Sequence, residues 1–173
     1  MPTNSKILAR DFLYEIESSD GQYTPIRGLT DVSTSPTKND ADTTDYDTGG
    51  WVSHLVASRG YALTLSGQRV EDPYTGERDP GQEAVEVAAL STGYDSMVGF
   101  RVSSRVNDMT YIEGQVSIEI TPLGGGNDAP AAWDATVTFD GEPTFNFQGN
   151  GNGNGGDNGG NGGGDNGGDD EGE

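Results

Sequence analysis

The sequence predicts a mainly β protein: an antiparallel β sandwich or barrel with one short α-helix, a long inter-strand arm and a Gly/Asp-rich C-terminal tail. Three observations carry that expectation. Apolar residues alternate at period two through most of residues 1–148, one segment alone has helical spacing with capping residues, and everything from Gly149 onward lacks an apolar side chain.

Taken in order, "RDFLYEIES" places Phe12, Tyr14 and Ile16 on one face, and "QYTPIRGLT" after the turn-prone Ser18-Ser19-Asp20-Gly21 reads as its hairpin partner. A polar run from Ser33 to Gly50 follows, with Ala41 as its one aliphatic residue, and reads as a loop too long for an ordinary hairpin connection. "YALTLSG" then alternates Tyr61, Leu63 and Leu65 against Ala62, Thr64 and Ser66. In "DPGQEAVEVAALSTG", Asp79 caps a helix, Pro80 occupies its first position, Gln82 stands where a capping-box partner belongs, and Gly93 marks its end. Its apolar stripe is narrow: Ala84, Val85, Ala88 and Ala89. Further strands are expected in "MVGFRVS", "TYIEGQVSIEIT" and "WDATVTFD", with a closing Phe145/Phe147 pair after the turn at "DGEP". No internal repeat is visible.

The 173 residues suit one domain, residues 1–148, followed by the tail, residues 149–173. That tail holds 13 of the 28 glycines, so nothing in it offsets the entropy of ordering, and it reads as solvated. It supplies −6 of the formal −20, leaving nine cations against 23 acids in the domain. Only Lys6 and Lys38 accompany seven arginines, so no basic patch exists to neutralise phosphates, and nucleic-acid binding of the ordinary kind is disfavoured. The same lysine-poor, acid-rich composition fits a protein working in high salt, hence a halophilic host. The absence of cysteine removes disulfides, thiolate zinc sites and thiol nucleophiles. No twenty-residue apolar run and no signal-peptide segment occurs, so the chain is expected to be made in the cytoplasm and to stay off membranes.

Tests for chemistry return little. Asp42, Asp45 and Asp47 before Gly49 invite a calcium reading, but the ligand spacing, the final bidentate Glu and the flanking helices of an EF-hand are missing. His54 is the lone histidine, and Ser53 and Ser58 are its neighbours in sequence without forming a nucleophile arrangement. The Gly/Asp tail lacks the large apolar residue that each calcium-binding β-roll repeat requires. The expectation is no catalytic, cofactor-binding or metal site.

The stretch "DTTDYDTGGWVSHLVASRGYALTLSG" resembles the phage major tail protein (tail tube protein) family of long non-contractile-tailed viruses, the siphoviruses. The pattern is a Thr/Asp-rich loop with Thr43, Thr44 and Asp45, then Gly49, Gly50 and Trp51, then Gly60, then a strand with Leu63 and Leu65. The "DPGQ" helix start, "MVGFRV", and Gly141, Pro143 and Phe145 of "TVTFDGEPTF" continue the resemblance, which runs from about residue 7 to 148. No single motif is specific; their serial order is.

That resemblance implies a virion structural protein without enzymatic activity. Its partners would be copies of itself in stacked hexameric rings, other tail proteins at the tube ends, and genome DNA passing through the lumen without specific binding. Residues 33–50 would be an arm reaching a neighbouring subunit, with Thr43, Thr44, Asp45, Asp47, Gly49, Gly50 and Trp51 as the suspected assembly residues and Trp51 anchoring the root. An acidic lumen would repel the DNA backbone. Two other classes remain: a secreted or surface β module that binds calcium through its tail, and a hydrolase using His54 or a carboxylate pair.

Overall fold

A computed structural model describes residues 6–18, 21–121 and 124–146. The tail, Phe147 and two residues of the opening turn, Ser19 and Asp20, lie outside the described residues. Eight strands join one antiparallel sheet: β1 (Phe12–Glu17), β2 (Tyr23–Pro25), β3 (Leu29–Asp42), β4 (His54–Gln68), β5 (Val98–Ser104), β6 (Thr110–Thr121), β7 (Ala132–Phe139) and β8 (Thr144–Phe145). The order is β2-β1-β5-β6-β7-β4-β3, with β8 paired to β6 beyond the end of β7.

Two ends of that order are neighbours in sequence, and this fixes the shape. In a flat sheet, six inter-strand steps would put β2 about 29 Å from β3. The four residue steps from Pro25 to Leu29 reach at most about 14 Å. The sheet therefore curls into a nearly closed barrel. Gly28 in the link has φ +79°, its carbonyl accepts from Gln68 N–H at 2.9 Å, and an added Cβ would lie 2.4 Å from the Gln68 carbonyl oxygen. Only glycine fits this close, left-handed approach.

The inward face is the alternating apolar set: Ile16, Leu63, Leu65, Phe100, Val102, Val116, Ile118, Trp133, Ala135, Val137 and Phe139 are buried. Helix α1 (Pro80–Leu90) adds Val85 and Ala88 to this core and packs against β1, β2 and β6. Asp79 accepts from Gln82 N–H at 3.0 Å, as a helix cap should. The expected capping-box role of Gln82 is corrected. Its side chain turns away from the cap to accept from Val70 N–H at 3.0 Å and to donate to the Arg27 and Gln68 carbonyls, both at 2.8 Å. Those three backbone groups border the barrel's seam, where they are part-buried and have a partner in Gln82, which outweighs a local cap.

On the outward face, register places Glu15 opposite Arg101, and Arg101 opposite Glu113. Glu15 accepts from Arg101 Nε at 2.7 Å and from Ser103 Oγ at 2.8 Å, while the guanidinium lies 4.2 Å over the Tyr23 ring. Burial pushes the Glu15 carboxyl up, but the bonds from Arg101 and Ser103 and the charge of Arg101 outweigh it, so the pKa falls below its ordinary 4.5. A lowered carboxylate stabilises the fold above the unfolded value and loses that contribution as pH falls through the folded one. Glu15→Gln is therefore expected to cost about 1–2 kcal/mol at neutral pH, part-exposed Arg101 limiting the loss. In urea titrations the difference from wild type should be constant above pH 5 and shrink below about pH 4.5; a pH-independent difference would contradict the assignment.

Two sequence expectations fail here. "QYTPIRGLT" is not one strand: β2 stops at Pro25, and Leu29 starts β3 at the other end of the sheet. The polar run is not a loop up to Gly50. Residues 33–42 belong to β3, paired in register with β4 from Ser33↔Thr64 to Asp42↔His54 with a bulge at Asn39/Asp40. Neither face of this outer part is buried, so no alternation marks it in sequence.

Candidate assembly surface

β4 meets β7 only from Ala62 to Gln68, whereas it pairs with β3 as far as His54. Beyond Tyr61 the hairpin is thus a two-stranded ribbon standing off the barrel, and its described residues from Thr37 to Arg59 are exposed apart from the half-buried Ser53. The root is held by Tyr61, whose ring meets Phe139 and Phe145 edge-on with centroids 5.7 and 5.4 Å apart. Trp51 does not anchor the root. It is 81% exposed and sits at the distal tip, some nine or ten residues from Tyr61 in sequence, roughly 30 Å of extended chain.

The suspected assembly residues Thr43, Thr44, Asp45, Asp47, Gly49, Gly50 and Trp51 are brought together at this tip. Asp42 accepts from Thr44 N–H at 2.9 Å, and Asp45 accepts from Asp47 N–H at 3.0 Å, opening a single 3-10 turn at Tyr46–Thr48. Gly49 and Gly50 then reverse the chain at φ +63° and +86°. Across the tip, Thr43 N–H donates to the Ser53 carbonyl at 2.9 Å and Ser53 N–H to Thr44 Oγ1 at 3.0 Å. The Thr44 hydroxyl and N–H hold the Asp42 carboxyl below its ordinary range, with a smaller contribution from His54 across the ladder. These bonds explain the Thr/Asp composition: short polar side chains replace the backbone pairing that a wide hairpin end cannot supply.

The aspartates thus serve the turn. Among the described residues, no three His, Cys, Asp or Glu side chains form a group able to hold a metal ion. His54 is exposed on the ribbon opposite Asp42, with Ser53 bonded to Thr43 and Thr44. What the ribbon offers is apolar surface in an acidic setting. Tyr46, Trp51, Val52 and Leu55 are exposed beside Asp40, Asp42, Asp45 and Asp47, and no lysine or arginine occurs between Asn39 and Ser58. A two-stranded ribbon is marginally stable alone, and exposed apolar residues concentrated on one mark a surface for a partner.

No protein-family model and no curated protein matches the sequence. Solved structures do. The tail subunit of an empty gene transfer agent particle, refined with C6 symmetry, superposes with a TM-score of 0.61 at 19% identity, covering 82% of this chain and 99% of that one. The chain has the tail-tube fold. The SPP1 tail tube matches at 0.59 with 17% identity, covering 82% of this chain and 80% of that one. A chain from the anti-feeding prophage baseplate, six-fold symmetrised, matches at 0.53 with 10% identity over 82% of this chain and 96% of its own. Sequence reasoning marked the tip residues as one loop with Trp51 at its root, and missed Tyr61 as the root and Gln82 as the seam's polar tie; the clean alternation around Tyr61 was the available signal for the first.

Proposed function

We propose that the chain is the major tail-tube subunit of a virion: copies form hexameric rings, rings stack into a tube, and genome DNA passes through the lumen. The observation that carries this reading is the ribbon, which projects exposed aromatic and aliphatic residues from a barrel of tail-tube fold. Its order comes at little burial within its own subunit, which makes sense if neighbouring copies complete it. The role is structural, without catalysis, in a virion tail, with other tail proteins at the tube ends.

A second feature supports the channel. Opposite the core, the outer face of β4, β7 and β6 displays Ala62, Thr64 and Ser66, Asp134, Thr136 and Thr138, and Ser117, Glu119 and Thr121, in rows fixed by register. It carries hydroxyls and acids and no cation. Such a face turned to a lumen repels phosphates and offers them no counter-ion, leaving DNA free to slide.

The test is negative-stain electron microscopy of purified protein over a concentration series in low and in molar salt. Six-fold rings or tubes with an open channel are expected, favoured by salt because a formal −20 per chain must be screened before copies stack. Monomers in every condition that compact on adding calcium would replace this reading with a calcium-binding β module.

A further inference from the structure

The barrel's seam leaves a second unpartnered feature at the opposite end of β3 from the tip. β2 pairs with Glu15–Glu17 of β1 and Ile26 N–H carries the contact on to the Tyr14 carbonyl at 2.9 Å, so Phe12 and Leu13 have no strand neighbour on that side among the described residues, and the outer edge of β3 has none either. Between these two edges lies an open cleft of about 360 Å³. Phe12, Tyr14, Ile26, Leu29 and Val32 give it an apolar floor. Arg10, Arg27 and Arg105 stand around it, three of the seven arginines of the chain, against one lining acid, Asp31. Arg10 and Arg105 are exposed and form no ion pair among the described residues, and Arg27 only approaches Asp79 at 3.9 Å.

We propose that this cleft is the acceptor for the ribbon tip of a second copy of the chain, an assignment that rests on the assembly role given to the ribbon above. The chemistry is complementary on both counts. The tip from Ala41 to Ser53 carries Asp42, Asp45 and Asp47 and no lysine or arginine, Asp40 below it being paired with Lys38 at 2.9 Å, and it presents exposed Tyr46 and Trp51; the cleft carries three guanidiniums over an apolar floor. In a domain with 23 acids and nine cations, such a gathering of arginines is the surface an acidic segment would select. Carboxylates meet guanidiniums in a planar, directional geometry, and an aromatic ring can fill the space between the strand edges. Donor and acceptor are also placed for propagation. Tip and cleft sit at opposite ends of β3, about 40 Å apart along the strand, so a copy cannot fill its own cleft without folding the ribbon back. The contact is head-to-tail and leaves a free tip and a free cleft at every stage.

The absence of cysteine makes the test direct. A full-length chain carrying Ala9→Cys in the cleft and Asp47→Cys in the tip should, under mild oxidation, give a ladder of covalent oligomers on a denaturing gel. Each single variant should stop at dimers. Dimers alone from the double variant would overturn the assignment, and assembly that proceeds without the ladder but is lost when residues 149–173 are removed would overturn it in favour of the acidic tail as occupant. In parallel, Arg10→Glu/Arg105→Glu should reduce assembly at least tenfold, and adding Asp45→Arg/Asp47→Arg to the same chain should restore it. If removing the ribbon blocks assembly while reversing the arginines does not, the cleft assignment fails and the ribbon's role stands. If neither change affects assembly, both fail.

Discussion

Excising residues 39–58 and joining Lys38 to Arg59 through an Asn-Gly turn is expected to leave a folded barrel that forms neither rings nor tubes. Lys38 and Arg59 are direct partners in the β3–β4 ladder, so a two-residue turn closes the shortened hairpin in the existing register. No core residue lies in the excised segment, and Tyr61 still packs on Phe139 and Phe145. The melting temperature should therefore stay within a few degrees of wild type, since less than about 1 kcal/mol of packing is removed. Sedimentation velocity and electron microscopy should show monomers at concentrations where the intact chain assembles. Normal tubes from the excised chain would refute the arm role; an unfolded product would show that the ribbon supports the barrel.

Gln82→Ala should be the most damaging single substitution in the seam. The Gln82 side chain is buried and satisfies one amide and two carbonyls drawn from two segments: Val70 and Gln68 at the end of β4, and Arg27 after β2. Removing it leaves these three part-buried groups without their shared partner and opens a small cavity, a loss of about 2–4 kcal/mol. A domain of this size has roughly 5–15 kcal/mol in all, so the urea midpoint should fall by a third or more. Gln82→Glu keeps the acceptor for Val70 but cannot donate to the carbonyls while ionised. It should be comparably unstable at neutral pH and recover partly in acid, when the protonated carboxyl can donate once. A midpoint within experimental error of wild type for Gln82→Ala would mean that solvent reaches these groups and the seam is open.

Strands whose inner face is buried were legible in the sequence. β5, β6, β7 and the inner half of β4 show clean alternation because one face packs on Phe100, Val116, Val137 and Leu65 while the other meets water. The helix was legible from Asp79 and Pro80, whose effects are local. The ribbon was not, because β3 from Ser33 outward is exposed on both faces, and a strand held only by its ladder needs no periodicity. Trp51 was misplaced for the converse reason: a large aromatic usually seeks a core, but here the chain carries it to the tip of a hairpin that its own subunit does not cover. Thr43, Thr44, Asp45, Asp47, Gly49 and Gly50 were legible as a turn region because Thr, Asp and Gly are required by the turn chemistry itself.

The sequence by itself determined a mainly β domain with one capped helix, the acidic and lysine-poor surface, and the Thr/Asp/Gly tip, since period, capping and turn preferences act over a few residues. The tertiary structure alone decided that β2 and β3 lie at opposite ends of the sheet yet are joined by Ile26–Gly28, which forces the curl. That decision sets the long-range partners of Gln82, gathers Arg10, Arg27 and Arg105 around one cleft, and extends the ribbon away from it. Each of these joins groups far apart in the chain, and only strand order brings them together.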